Sequence, residues 1–89
     1  MLNPAQRKSL RARAHKLDPV VQIGAKGLTD EVMGEIERAL KAHELIKLRA
    51  PGLERDARGR VFSLICRNTA AELVQQIGKV LVIFRKNDE

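Results

Sequence analysis

The sequence predicts a small α/β fold with the element order α-β-α-β-α-β-β, and three observations carry the prediction. Residues 30–43 repeat apolar side chains at helical spacing, and short apolar, β-branched runs flank them on either side. Strand, helix, strand in that order implies a right-handed parallel crossover. Near the C-terminus two apolar runs meet at Gly78-Lys79, the mark of an antiparallel hairpin.

The first helix is expected over residues 4–17. Pro4 suits a first helical turn, Asn3 is placed to cap it, and Leu10, Ala14 and Leu17 fall at i, i+4 and i+7. The remaining surface carries Arg7, Lys8, Arg11, Arg13 and Lys16, with Arg7 and Arg11 one turn apart on one face. Like charges at that spacing oppose helix formation slightly; a polyanionic partner and plain solvation both account for them. His15 in the same run reads as a surface residue, because no second metal ligand is placed near it. Asp18-Pro19 ends the helix, since the residue before proline is pushed out of helical geometry.

Val20-Val21-Gln22-Ile23 then reads as a short buried strand, and Gly24-Ala25-Lys26-Gly27 as the turn that leads on to a second helix. Thr29 is a natural N-cap, and Asp30 and Glu31 favour the positive end of the helix dipole. Two glycines three apart permit unusual backbone angles and let another backbone come close. N–H groups exposed at such a loop and helix start can donate to a phosphate, with Lys26 as a mobile positive charge. RNA-binding KH modules clamp nucleotides with a G-x-x-G loop of this kind. The same spacing also suits an ordinary strand-to-helix connection, and the acidic pair that follows weighs against a simple anion site.

The second helix, about 30–43, carries Val32, Met33, Ile36, Ala39 and Leu40 as one apolar stripe, with His43 structural in its last turn. In the strand Leu45–Ala50, Ile46, Leu48 and Ala50 point one way and Lys47 and Arg49 the other. Pro51-Gly52 stops it, and residues 53–59 read as a charged connection. Residues 60–69 fit either a buried strand or a helix with Phe62, Ile65, Cys66 and Thr69 on one side and a start near Asp56; the helix is favoured because a crossover must precede the hairpin. Residues 73–77 and 80–85 form that hairpin, with Gly78 first in the turn as type II′ requires. Five consecutive apolar residues, Val80 to Phe84, predict a central strand covered on both sides. Asn87-Asp88-Glu89 is expected to fray.

Eighty-nine residues make one domain, spanning 1–89, near the lower size limit for a single hydrophobic core. With two Phe and no Trp or Tyr, that core must be aliphatic. No apolar run approaches the roughly 18 residues of a membrane span, and no secretory leader is evident, so a cytoplasmic location is expected. The single cysteine, Cys66, lies in an apolar run and reads as a small hydrophobe rather than a nucleophile. The net charge of +6 is uneven: residues 1–28 carry +5, residues 29–44 carry −3, residues 45–71 carry +4, and the remainder is balanced. Two positive segments are what a polyanion-binding face needs, and also what a solvated surface tolerates.

Four blocks together resemble one family. They are Leu10-Arg11-Ala12-Arg13-Ala14-His15, then Val20 to Thr29, then His43-Glu44-Leu45-Ile46-Lys47, and finally Gln76-Ile77-Gly78-Lys79 through Arg85. In order and spacing they are similar to the CRM domain, more narrowly to its stand-alone bacterial form, the YhbY family, over about residues 5–86. The resemblance implies a mixed four-stranded sheet, similar in topology to the C-terminal domain of bacterial translation initiation factor three. It also implies RNA binding through Gly24, Ala25, Lys26 and Gly27, with Arg7, Lys8, Arg11, Arg13 and Lys16 extending the positive track. For the bacterial form it implies a role on ribosomal RNA in precursors of the large subunit; plant-organelle relatives with several such domains assist group II intron splicing. Three departures are visible: Ala50-Pro51-Gly52-Leu53 matches no family stretch, Phe84 stands where Tyr is expected, and the last residues are acidic where a basic extension is compatible with the family.

The leading expectation is therefore an RNA-binding ribosome assembly factor, monomeric, without metal, cofactor or small-molecule substrate. Few aromatics are available for base stacking, so recognition through backbone and shape of structured RNA is expected. The alternative is a protein-interaction module docking on ribosomal or translation proteins. No metal-ligand spacing, catalytic triad set or Walker pattern supports an enzyme.

Overall fold

A strand apolar along its whole length needs cover on both faces, and residues 80–84 receive it. The computed structural model describes residues 2–87. Its elements are α1 (Pro4–Ala14), β1 (Val21–Gln22), α2 (Asp30–His43), β2 (Leu45–Arg49), α3 (Arg55–Thr69), β3 (Glu72–Ile77) and β4 (Val80–Phe84), in the expected order. The sheet runs β1-β2-β4-β3, with β1 parallel to β2 and the other two pairings antiparallel, so it is mixed and β4 is internal.

Alternation along β2 and β4 divides the core in two. Ile46, Leu48, Leu81 and Ile83 face Ile36 and Leu40 of α2 and Phe62 and Ile65 of α3. Leu45 and Val82 face the opposite way, where Leu10 and Ala14 of α1 cover them together with Val74. Thus α1 lies on one side of the sheet and α2 and α3 on the other. The core is aliphatic apart from the buried Phe62 and the half-buried Phe84.

Local chemistry sets most of the boundaries. Asn3 caps α1 reciprocally: its side chain accepts from the Gln6 N–H at 2.7 Å, and its own N–H donates to Gln6 Oε1 at 2.9 Å. Thr29 Oγ1 accepts from the Val32 N–H at 3.2 Å and starts α2 where expected. At the hairpin, Gly78 has φ +54° and Lys79 has no positive φ, the combination a type II′ turn takes.

Two expectations are corrected, the end of α1 and the fraying of Asn87, and α3 and β3 each add a detail. The first helix ends at Ala14 rather than residue 17, because the N–H groups of Lys16 and Leu17 turn back to Arg13 and Ala14 three residues earlier; Leu17 is 37 % exposed. Residues 60–69 are helical, as favoured, and their helix begins at Arg55, beside the Asp56 start the sequence offers, so most of the 53–59 connection forms its first turns. In β3 a bulge between Leu73 and Gln75 turns Val74 inward, which strict alternation does not foresee. Asn87 does not fray: its N–H donates to Glu44 Oε2 at 2.7 Å, and its side-chain amide donates to the Lys41 carbonyl at 2.8 Å. Residues 88 and 89 of the expected tail lie outside the described residues.

Candidate nucleic-acid interface

One end of the sheet gathers three turns. The loop 24–27 leaves the C-terminal end of β1, Pro51-Gly52 leaves that of β2, and Gly78-Lys79 joins β3 to β4. The parallel ladder extends to the first of these through the Ile23 N–H, which donates to Arg49 O at 2.8 Å. The Ala50 N–H donates to Lys79 O at 2.8 Å and holds the second turn against the third.

The loop itself is a closed β-turn, with the Gly27 N–H donating to Gly24 O at 3.0 Å. Gly27 is buried with φ +75°, a left-handed angle that a side chain strains to reach, and its α-carbon faces Val61 of α3. Gly24 has no such requirement. A Cβ placed there would meet nothing within 4 Å, and its φ is not positive. Ala25 and Lys26 are exposed, and among the described residues their N–H groups donate to no acceptor. The turn therefore offers two unused donors, a mobile ammonium and an open approach at Gly24. The amide of Gly27, which sequence reasoning included among possible donors, is already committed.

Gly52 fixes where this loop stands. A Cβ on Gly52 would lie 3.2 Å from the Ala25 backbone nitrogen, so the two turns touch backbone to backbone. Sequence reasoning saw Gly52 only as the stop to a strand; a Pro-Gly pair announces a turn but not what the turn packs against.

The α1 cations border two depressions on the surface. Arg7 and Arg11 line a shallow depression with Leu2 and Pro4. Arg13 and Lys16 border a second one beside Val20, Leu45 and Lys47. Lys8 is exposed. The structure brings Arg13, Lys16 and Lys47 together. The loop itself meets Gly52 through Ala25 and α3 through Gly27 and Val61, and the arginines of α3 are ones that sequence reasoning left out of the site.

Two other side chains are structural. Arg85 donates from Nη1 to Glu37 Oε1 and to Thr69 O, both at 3.0 Å, and so ties the exit of β4 to α2 and to the end of α3. Burial pushes the Cys66 thiol above its usual range, which keeps it protonated and unreactive at neutral pH. Among the described residues no three His, Cys, Asp or Glu side chains cluster as metal ligands, and no helix is long and apolar enough to cross a membrane.

Comparison with known proteins follows the same lines. The CRS1 / YhbY (CRM) domain model matches residues 2–85. A Haemophilus influenzae protein named as an RNA-binding protein is 43 % identical over 88 residues, covering 99 % of this chain and 89 % of its own. A Pseudomonas aeruginosa protein named as a probable RNA-binding protein is 41 % identical over 86 residues, covering 97 % and 83 %. The solution structure of a hypothetical Staphylococcus aureus protein superposes with a TM-score of 0.84 at 35 % identity, covering 100 % of this chain and 93 % of that one.

Proposed function

The chain belongs to the CRS1/YhbY (CRM) domain family, and from that premise we propose that it binds structured RNA as a non-catalytic ribosome assembly factor, acting in the cytoplasm on precursors of the large subunit. The observation that carries the reading is the exposed turn 24–27. The free N–H groups of Ala25 and Lys26 and the Lys26 ammonium suit phosphate oxygens, and the empty space over Gly24 admits a sugar-phosphate backbone. Arg7, Lys8, Arg11, Arg13 and Lys16 contribute long-range attraction from the neighbouring side of the sheet rather than contacts continuous with the loop. The relatives named as RNA-binding proteins support the choice of RNA over other polyanions.

Recognition in this reading goes through phosphate and shape. No aromatic side chain lies in or beside the loop, so bases have no stacking platform there. The test is sedimentation of ribosomal particles before and after nuclease digestion. Association with large-subunit precursors that disappears when RNA is digested agrees with the proposal; a complex that survives complete digestion belongs to a protein-docking module instead.

A further inference from the structure

On the side of the sheet away from α1, helix α3 and the edge strand β3 enclose an open groove of about 1160 Å³ whose walls carry Arg55, Arg58, Arg60 and Arg67 against a single carboxylate, Asp56. We propose that this groove is a second phosphodiester-binding site, which takes the RNA backbone as it leaves the 24–27 loop. The inference rests on the reading of the chain as an RNA-binding protein and adds a surface to it.

The helix geometry places the cations in a row. Arg60, Ser63 and Arg67 fall at i, i+3 and i+7, so they share one side of α3, and two turns separate the arginines by about 10 Å. Arg55, Arg60 and Arg67 are exposed. Among the described residues no salt bridge engages any of the four arginines, whereas Arg85 elsewhere is paired with Glu37. Arg58 adds a second sign of a missing partner: its Nε is buried and has no hydrogen-bond acceptor.

The loop and the groove both adjoin the same stretch of α3. Val61, next to Arg60 in sequence, is the α3 residue that Gly27 faces, and Gly78 of the hairpin turn lies on the groove wall. In this proposal a strand held at Lys26 runs on toward the arginines of α3. Arginine rather than lysine favours phosphate, because the planar guanidinium offers paired donors to two oxygens. An acidic protein segment has the same sign of charge, but nothing in the groove offers it an apolar anchor beyond the exposed Leu64.

The experiment titrates a labelled RNA stem-loop, over a salt series, against the wild type, the double variant Arg60→Gln/Arg67→Gln, and Lys26→Ala. A polyglutamate peptide serves as the acidic-protein probe. Both arginines are exposed and unbonded, so the double variant folds, which its thermal melt verifies. The proposal expects weaker RNA binding by the double variant and a salt slope shallower by about two, one for each phosphate that the missing guanidinium groups leave unneutralised. RNA binding unchanged in the double variant but weakened in Lys26→Ala overturns the groove and leaves the loop standing. RNA binding unchanged in both variants overturns the RNA reading itself. Loss of polyglutamate binding alone overturns the groove as a site for RNA. As a second measurement, Ser63→Glu places a negative charge between the two arginines and is expected to weaken RNA binding at low salt; unchanged binding counts against the site.

Discussion

Gly52 and Ala25 meet backbone to backbone: a methyl group on Gly52 would stand 3.2 Å from the Ala25 nitrogen. This contact, between turns 27 residues apart in sequence, sets the position of the loop to which RNA binding is assigned. Gly52→Ala is accordingly expected to displace Ala25 by a few tenths of an ångström. The amide signals of residues 24–27 should shift in an NMR spectrum and RNA affinity should fall, while the melting temperature changes little. An unshifted loop would show that Gly52 does not position it.

The two loop glycines make opposite predictions. Gly27→Ala forces a side chain to φ +75° and is expected to cost about 1 kcal/mol of stability. Gly24→Ala meets nothing within 4 Å at an ordinary backbone angle, so its stability should match the wild type. If RNA approaches over Gly24, the added methyl still lowers affinity. Denaturant unfolding and RNA titration of both variants separate the effects; a Gly24→Ala protein of unaltered affinity places the RNA elsewhere on the loop.

Much of this was legible in the sequence, for reasons that differ by element. Helix α2 combines an apolar stripe, a Thr cap and an acidic first turn, and each cue gives the same boundary. The end of α1 was hidden because Leu17 keeps the apolar period three residues past Ala14, where the helix ends and the backbone tightens. The start of α3 was legible only to within a residue, near Asp56, because Glu54 caps it without a side-chain hydrogen bond and Gly59 interrupts the pattern. At the site, glycine spacing marks the loop, but Gly52 and Val61 reach it only through tertiary packing. No local pattern encodes that neighbourhood.

Acid should weaken the fold partly through one pair. The hydrogen bond from Arg85 holds the Glu37 carboxyl below its usual range, with desolvation opposing it and the charges of Arg85 and Lys41 adding to it. The folded protein thus binds this proton more weakly than the unfolded chain. The stabilisation is present above the ordinary carboxylate range and is lost as pH falls through the lowered folded value. The pair is partly exposed, so its size is at most about 1 kcal/mol. Urea unfolding of the wild type and Glu37→Gln should differ most at neutral pH and converge in acid; a difference independent of pH would assign the effect to packing.

The central claim is that the exposed 24–27 turn grips phosphate through Lys26. Its most direct test is titration of a structured large-subunit ribosomal RNA fragment against the wild type and Lys26→Ala at two salt concentrations. The expected result is weaker binding by Lys26→Ala and a salt slope shallower by about one. Equal affinities with equal salt slopes would contradict the claim.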